Sequence, residues 1–150
     1  MLVTNQAPDF TATTVLGDGS IVDNFKLSEN MGEKGTVLFF YPLDFTFVCP
    51  SELIAFDHRL KEFKDRGVEV IGCSVDSQFS HFAWRETPIN NGGIGRVGYP
   101  LVADLTKQIS KDYDVLFGEA VALRGSFLID GKGVVRHAVV NDLPLGRNID

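Results

Sequence analysis

The sequence has few cysteines and no long apolar run. Its two cysteines, Cys49 and Cys73, are too few for a small disulfide-stapled scaffold. No segment approaches the roughly 18 apolar residues of a membrane span. Residues 1–8 also lack the basic and apolar regions of a signal peptide. We therefore expect a cytoplasmic protein, in which thiols stay reduced unless they are catalytic or redox-sensing.

Positive charge is also scarce. The sequence has 14 Lys and Arg residues against 20 Asp and Glu residues, which gives a formal net charge of −6. An acidic surface repels phosphate backbones, which disfavours general nucleic-acid binding. With 150 residues, 44% of them hydrophobic and 23% charged, the chain has the size and composition of one globular domain. Because no repeat, low-complexity tract or Pro/Ser-rich linker divides it, we predict a single domain over residues 1–150.

The first half of the chain carries a βαβ pattern. A β-branched and aromatic run over residues 36–41 is typical of a strand buried on both faces. Apolar residues at steps of three and four predict one helix over residues 50–66, and Gly67 ends it. Residues 68–71 resume the strand pattern, so the two strands are expected to be parallel with a right-handed crossover.

The second half predicts further helices and a terminal hairpin. The elements are helices over 78–86 and 106–113, a strand over 100–103, and hairpin strands over 125–129 and 134–140 around an Asp-Gly turn. Asp104 or Thr106 would cap the helix over 106–113. Another helix is expected to begin over 147–150. Together these elements outline a thioredoxin-like α/β fold.

The position of Cys49 predicts a reactive thiol. It lies where strand gives way to helix, and Pro50 suits a first helical position because its missing N–H costs nothing there. The unpaired N–H groups and the positive end of the helix dipole stabilise the thiolate, which is the nucleophilic form. Glu52 stands where its carboxylate can reach back to the helix start. The alternative is that Cys49 is a buried apolar residue, as free cysteines often are.

The segment before Cys49 carries a Pro-x-x-x-Thr-x-x-Cys pattern formed by Pro42, Thr46 and Cys49, with Ser51 beyond it where threonine is common. Further motifs are Cys73-Ser74-Val75-Asp76-Ser77, His81-Phe82-Ala83-Trp84, Gly92-Gly93-Ile94-Gly95, Leu123-Arg124-Gly125 and Asn141-Asp142-Leu143-Pro144-Leu145-Gly146-Arg147. In this order, and over essentially the whole chain, they resemble the typical 2-Cys peroxiredoxins of the thioredoxin-dependent or alkyl hydroperoxide reductase type. The resemblance implies a thioredoxin-like fold with a peroxiredoxin N-terminal extension and a central mixed sheet flanked by helices.

The same resemblance implies a thiol peroxidase that reduces hydrogen peroxide and small organic hydroperoxides. Cys49 would attack one peroxide oxygen and become a sulfenic acid. The Thr46 hydroxyl would exchange hydrogen bonds with thiolate and peroxide. Arg124 would favour the thiolate and stabilise charge on the leaving oxygen. Pro42 would shield the sulfenic acid from solvent.

The resemblance also implies that Glu52 and Arg147 support the site from around it, by orienting Arg124 and the active-site loop. Without the resemblance, both arginines would be interpreted as solvated or ion-paired surface. Residues 92–95 lack the ending of a phosphate-binding loop. They match either the Gly-Gly-x-Gly insertion that slows active-site unfolding in some family members or a flexible turn, and the sequence leaves both open.

The remaining thiol and the histidines predict no second chemical site. We expect Cys73 to be a packed core thiol, since no C-x-x-C spacing links it to Cys49. The histidines, His58, His81 and His137, are scattered without a carboxylate partner at ligand spacing, which disfavours a zinc site. We expect no metal and no cofactor.

The resemblance also implies partners. In the family, a resolving cysteine in a C-terminal tail attacks the sulfenic acid, and thioredoxin or a similar thiol donor completes the cycle. This sequence stops at Asp150, before that tail, so we expect either a truncated form or resolution by an external thiol. Family members form homodimers and decamers, and the segments with Phe45, Phe79 and Trp84 resemble the decamer contact. We expect the missing tail to weaken dimerisation, and we expect no nucleic-acid or membrane partner.

Two other classes of function stay open at this point. Some peroxiredoxins act as large holdase chaperones or redox-signalling scaffolds of the same fold. The other open hypothesis is that the chain is a thioredoxin-like binding domain with an inert cysteine.

Overall fold

The computed structural model describes residues 1–46 and 49–145, without the side chain of Cys49. The strands within this part are β1 (Thr11–Val15), β2 (Ile21–Lys26), β3 (Gly35–Phe40), β4 (Val68–Ser74), β5 (Leu101–Ala103), β6 (Leu116–Phe117), β7 (Val121–Ala122), β8 (Arg124–Asp130) and β9 (Val135–Asn141). Its α-helices are α1 (Cys49–His58), α2 (Leu60–Asp65), α3 (Gln78–Glu86) and α4 (Gln108–Asp112). None of the described helices is both long enough and apolar enough to span a bilayer.

Seven strands form one mixed sheet in the order β2-β1-β5-β4-β3-β8-β9. Strand β3 is parallel to β4, and β4 is parallel to β5, whereas the β1–β2, β3–β8 and β8–β9 pairs are antiparallel. The predicted βαβ unit and the terminal hairpin are therefore confirmed, as is the mixed thioredoxin-like sheet. The short strands β6 and β7 pair with each other.

Strand β3 is an interior strand that packs on both faces, as its apolar run predicts. Leu38 and Phe40 belong to one core, whereas Phe39 lies in the other, as alternation along a strand requires. The first core is completed by α4 and the N-terminal strands, and the second by α1, α2 and α3. Packing of β3 between these two cores fixes the position of its last residue, Phe40. The candidate catalytic loop begins directly after it.

The predicted single helix over residues 50–66 is wrong in one respect, because Arg59 interrupts it. At this residue the backbone adopts φ −98° and ψ 2°, so α1 ends at His58 and α2 begins at Leu60. The carboxylate of Asp57 accepts a hydrogen bond of 2.8 Å from the Gly98 N–H, which holds the end of α1 to the loop before β5.

The predicted cap of the helix over 106–113 is Asp104 rather than Thr106. The Asp104 carboxylate accepts hydrogen bonds from the N–H groups of Ile109 and Ser110 at 3.1 and 2.7 Å. The helix itself is shorter than predicted and begins at Gln108. The helix expected over 147–150 lies outside the described residues.

Candidate active site

The backbone of Cys49 begins α1, as the sequence predicts. Pro50 follows within the first turn, where proline is compatible with a helix. A ten-residue helix presents unpaired N–H groups and the positive end of its dipole at this point. The main chain thus puts Cys49 where a thiolate is stabilised.

Glu52 and Arg124 form a buried ion pair between α1 and β8. The Arg124 Nη1 donates to Glu52 Oε1 at 2.5 Å, and the two residues are only 4% and 3% exposed. Arg124 is the first residue of β8, so a strand far along the chain delivers its guanidinium to the first turn of α1. The structure thus brings together Glu52 and Arg124, two of the residues that the resemblance assigns to the site.

A second contact fixes the same guanidinium. Arg124 Nε donates to the carbonyl oxygen of Leu143 at 2.7 Å. Leu143 lies just after β9, the strand that pairs with β8, and Arg124 is opposite Asn141 in that pair. Arg147, predicted to act nearby, lies outside the described residues.

Pro42 and Thr46 lie in the loop between β3 and α1. Pro42 is buried and Thr46 is half-buried. The Thr46 Oγ1 donates to the Leu43 carbonyl oxygen at 3.1 Å, which closes a tight turn. Phe45 within this turn has a φ of 57°, in the left-handed region that costs a non-glycine residue roughly 1–3 kcal/mol. Contacts elsewhere must therefore hold the loop in this shape.

A buried polar network supplies those contacts. Tyr41 Oη donates to Asp44 Oδ1 at 2.7 Å, and His81 Nδ1 lies 2.7 Å from Asp44 Oδ2. The other ring nitrogen of His81 is 2.9 Å from the Val102 carbonyl, which can only accept, so this Nε2 carries a proton. The network ties the catalytic loop to α3 and β5.

Asp76 extends the network on the β4 side. Its Oδ2 accepts from the Asp44 backbone N–H at 2.8 Å and from the Ser74 hydroxyl at 2.7 Å. The sequence shows no carboxylate at ligand spacing from His81, and the partner that the fold supplies is distant in the chain. Asp44 is 37 positions away in the chain, and only the fold brings the two together.

Burial and neighbouring charges shift the pKa values of three residues in this network. Burial on its own lowers the pKa of His81, but the hydrogen bond and the charge of Asp44 outweigh it, so the pKa is raised. Burial, together with the charge of Asp44, raises the pKa of Asp76. Burial also raises the pKa of Tyr41 well above its ordinary value. The contact with Asp44 therefore favours the protonated form of His81.

Asp44, Asp76 and His81 are also placed close enough to offer metal ligands. One atom from each lies within 4.8 Å of the others. All three atoms already have hydrogen-bond partners within the protein, as described above. The geometry is that of a satisfied network that positions the loop.

Cys73 is a core thiol, as predicted. It lies in β4, is fully buried, and packs within the core on the α4 side of the sheet. Burial raises the pKa of this thiol well above its ordinary value, which keeps it protonated and weakly nucleophilic. Cys73 is therefore poorly placed to act as a nucleophile.

The glycine-rich loop packs closely against α3. Trp84 Nε1 donates to the Gly92 carbonyl at 3.1 Å, and Gly92 has a φ of 85°. A Cβ on Gly93 would lie 1.9 Å from the Thr87 carbonyl oxygen, so only glycine fits there. The ring of Trp84 also lies 5.8 Å from that of Phe45, and therefore connects the glycine loop to the catalytic loop.

Three phenylalanines are exposed on the β3–α1 loop and on α3. Phe45, Phe79 and Phe82 are 52%, 70% and 38% exposed, whereas Trp84 is buried beneath Phe45. Two of these residues, Phe45 and Phe79, belong to the segments predicted to contact other subunits. We call Phe45, Phe79 and Phe82 the phenylalanine patch.

Comparison with known proteins gives a consistent result. Residues 3–138 match the model of the AhpC/TSA family. The chain is 62% identical over 150 residues to alkyl hydroperoxide reductase C of Helicobacter pylori, covering all of this chain and 76% of that protein. It is 57% identical over 145 residues to peroxiredoxin-2 of Macaca fascicularis, covering 96% and 72% of the two chains.

Solved structures show the same likeness. The reduced 2-Cys peroxiredoxin of Plasmodium vivax superposes with a TM-score of 0.95 at 50% identity, covering 99% of this chain and 77% of that one. AhpC of Mycobacterium tuberculosis superposes with a TM-score of 0.86 at 30% identity. The chain therefore spans about three quarters of the length of its first-matched relatives.

The raised pKa of buried His81 predicts how stability depends on pH. Because the folded protein holds the His81 proton more tightly than the unfolded chain does, the stabilisation is fully present below about pH 6.5, where a free histidine titrates. It is lost as the pH rises through the raised pKa of His81. Asp44, Asp76 and Tyr41 face this group.

Denaturant unfolding between pH 5.5 and 9 checks this expectation. The difference in free energy of unfolding between the wild type and His81→Gln should shrink as the pH rises. His58→Gln is the matched control, because His58 is exposed at the end of α1 and outside the network. A difference that grows with pH would contradict the assignment.

Proposed function

The chain belongs to the AhpC/TSA family of peroxiredoxins, and from that membership we propose the roles that its residues play in reducing hydroperoxides. The predicted class of enzyme, a thiol peroxidase, is confirmed by the family. The residue assignments are our proposal. They depend most on one observation, the buried pair of Glu52 and Arg124 at the first turn of the helix that Cys49 begins.

In the chemical step, the Cys49 thiolate attacks one oxygen of the hydroperoxide. An S–O bond forms and the O–O bond breaks, so the sulfur loses two electrons and becomes a sulfenic acid. The second oxygen leaves with the electron pair and takes up a proton to give water or an alcohol. The site must therefore stabilise negative charge first on sulfur and then on the leaving oxygen.

Arg124 supplies that stabilisation. A guanidinium stays charged at any working pH and offers donors in a fixed plane. Its contacts with Glu52 and Leu143 hold it in position before substrate arrives. Glu52 is the orienting residue, as the resemblance implied, and we give Arg147 the second orienting role predicted for it.

Thr46 and Pro42 shape the pocket on the loop side. The Thr46 hydroxyl is both donor and acceptor, so it can turn from the Leu43 carbonyl toward thiolate and peroxide. Buried Pro42 excludes water from the sulfenic acid. The resting contact of Thr46 and the left-handed backbone at Phe45 support a loop with a defined shape.

A thiol reductant completes the cycle. A thiol attacks the sulfenic acid to form a disulfide and water, and thioredoxin or a similar donor then returns Cys49 to the reduced state by thiol–disulfide exchange. The comparisons name chloroplastic and mitochondrial relatives as well as bacterial ones, so family membership fixes no compartment. We retain the cytoplasm, and one domain over residues 1–150, as proposals.

Stopped-flow mixing with peroxide tests the role of Cys49. Reduced wild-type protein should consume one peroxide per Cys49 in a rapid phase, and added thioredoxin with its reductase should restart consumption. Cys49→Ser should lose the rapid phase because the nucleophile is gone. Cys73→Ala, the matched control, should keep it.

A rapid phase that survives in Cys49→Ser would contradict the assignment. Slow consumption by the wild type, at the rate of an ordinary thiol, would instead favour the chaperone, scaffold or inert-cysteine alternatives. Consumption that does not restart with thioredoxin would remove that reductant from the proposal.

We also propose a homodimer through the free edge of the sheet, with decamers as the larger assembly. Strand β9 is one of the two edge strands of the described sheet, the other being β2, and Val139 and Val140 on it are 43% and 46% exposed. An apolar edge strand is a template for pairing with a second copy. The phenylalanine patch supports a second contact between dimers.

Sedimentation velocity separates the two contacts. Val139→Lys should shift the protein toward monomer, because the charge opposes edge pairing, and Phe79→Glu should leave dimers. Leu105→Lys is the control, because Leu105 is 63% exposed but lies outside both surfaces. Assemblies unchanged by both substitutions, or changed equally by the control, would contradict these interfaces.

A further inference from the structure

The turn after β9 contacts Arg124 through a different nitrogen from the one that binds Glu52. Leu143 offers its carbonyl to Arg124 Nε at 2.7 Å, while Glu52 binds Nη1. We propose that Asp142 and Pro144 are positioning residues, which aim the Leu143 carbonyl at the catalytic guanidinium. This inference rests on the proposed function, since it gives Arg124 its catalytic role.

The turn is defined by its own hydrogen bonds. The Leu145 N–H donates to the Asp142 carbonyl at 3.0 Å, which closes a four-residue turn. The Asp142 Oδ1 accepts from the Leu143 N–H at 2.7 Å. Asp142 therefore holds the main chain on the N-terminal side of the carbonyl that Arg124 uses.

Pro144 constrains the other side of that carbonyl. The proline ring fixes its own φ at about −65° and crowds the backbone of the residue before it, which narrows the conformations open to that residue. Leu143 is that residue, so its carbonyl direction is restricted before any contact with Arg124 forms. Proline also reduces the freedom of the unfolded turn.

Contacts at two different nitrogens of Arg124 constrain its guanidinium more than a single contact would. A guanidinium is planar, so fixing both Nε and Nη1 sets the orientation of the whole group as well as its position. Small errors in the placement of a catalytic group cost rate steeply. Because β8 pairs with β9, the turn moves with the strand that carries Arg124.

Three variants test the inference in a Cys73→Ala background, so that only Cys49 reports. Asp142→Ala and Pro144→Ala should each lower the second-order rate with hydrogen peroxide by about tenfold. They should also raise the pKa of the Cys49 thiol, followed by thiolate absorbance at 240 nm against pH. Asp142→Asn should recover most of the rate, because an amide oxygen also accepts from the Leu143 N–H.

Asp18→Ala is the matched control. The Asp18 Oδ1 likewise accepts a local backbone hydrogen bond, from the Ser20 N–H at 2.9 Å, but in the β1–β2 turn at the opposite edge of the sheet. Loss of such a bond costs stability in either place. Only the Asp142 variant should change the rate and the thiol pKa.

A double-mutant cycle shows whether the turn acts through Arg124. In an Arg124→Lys background there is no Nε–H for the Leu143 carbonyl, so adding Asp142→Ala should change the rate less than twofold. Full multiplication of the two effects would overturn the inference. Wild-type rate and thiol pKa in Asp142→Ala would overturn it too, as would an equal loss in Asp142→Asn.

The wild-type reaction separates this inference from the proposed function. If the wild type shows no rapid Cys49-dependent phase, the proposed function fails. If the wild type is rapid and the turn variants match it, only the positioning role fails.

Discussion

The active-site architecture depends on a buried ion pair. Glu52 and Arg124 are almost entirely removed from solvent, so each charge is tolerable only because the other is present. Breaking such a pair by removing one partner typically costs about 3–5 kcal/mol, since it leaves an uncompensated buried charge. The pair therefore makes the position of β8 against α1 an electrostatic requirement as well as a matter of packing.

The residues around this pair belong to two parts of the molecule, one made of regular elements and the other of a loop. The sheet and α1 set Arg124 and the backbone of Cys49, because both begin regular elements that are packed against the core. The loop with Pro42 and Thr46 has no such support, and it contains a left-handed residue at Phe45. Its shape is held by the buried hydrogen bond between Asp44 and His81, so the site depends on this contact as well as on the Glu52–Arg124 ion pair.

Much of the fold could be predicted from local pattern. Strand β3 and helix α3 have clear periodicity, and the hairpin of β8 and β9 has a distinct Asp-Gly turn. The residue patterns identified neither the β1–β2 hairpin nor the two-residue strands β6 and β7. For the hairpin, only the family resemblance gave a prediction, that of an N-terminal extension. The break at Arg59 was missed because the apolar spacing continues through it.

The site could be predicted less well, and for a physical reason. Placement at a helix start identifies Cys49 from sequence alone, because the helix end is a local feature. Arg124 and His81 gain their partners from positions 72 and 37 residues away, and no local pattern encodes such contacts. Family resemblance supplied Arg124, but neither approach supplied the Asp44–His81 pair.

The central claim is that the guanidinium of Arg124, held in place by Glu52, stabilises the thiolate of Cys49. The most direct measurement is the pKa of the Cys49 thiol and its rate with peroxide in the double variant Glu52→Gln/Arg124→Gln, again with Cys73→Ala. This variant replaces the ion pair with two neutral amides that can bond to each other, so no unpaired charge is left to unfold the protein. The account predicts a raised thiol pKa and a rate lower by about a hundredfold, with the fold intact by circular dichroism. A folded double variant with wild-type thiol pKa and rate would contradict it.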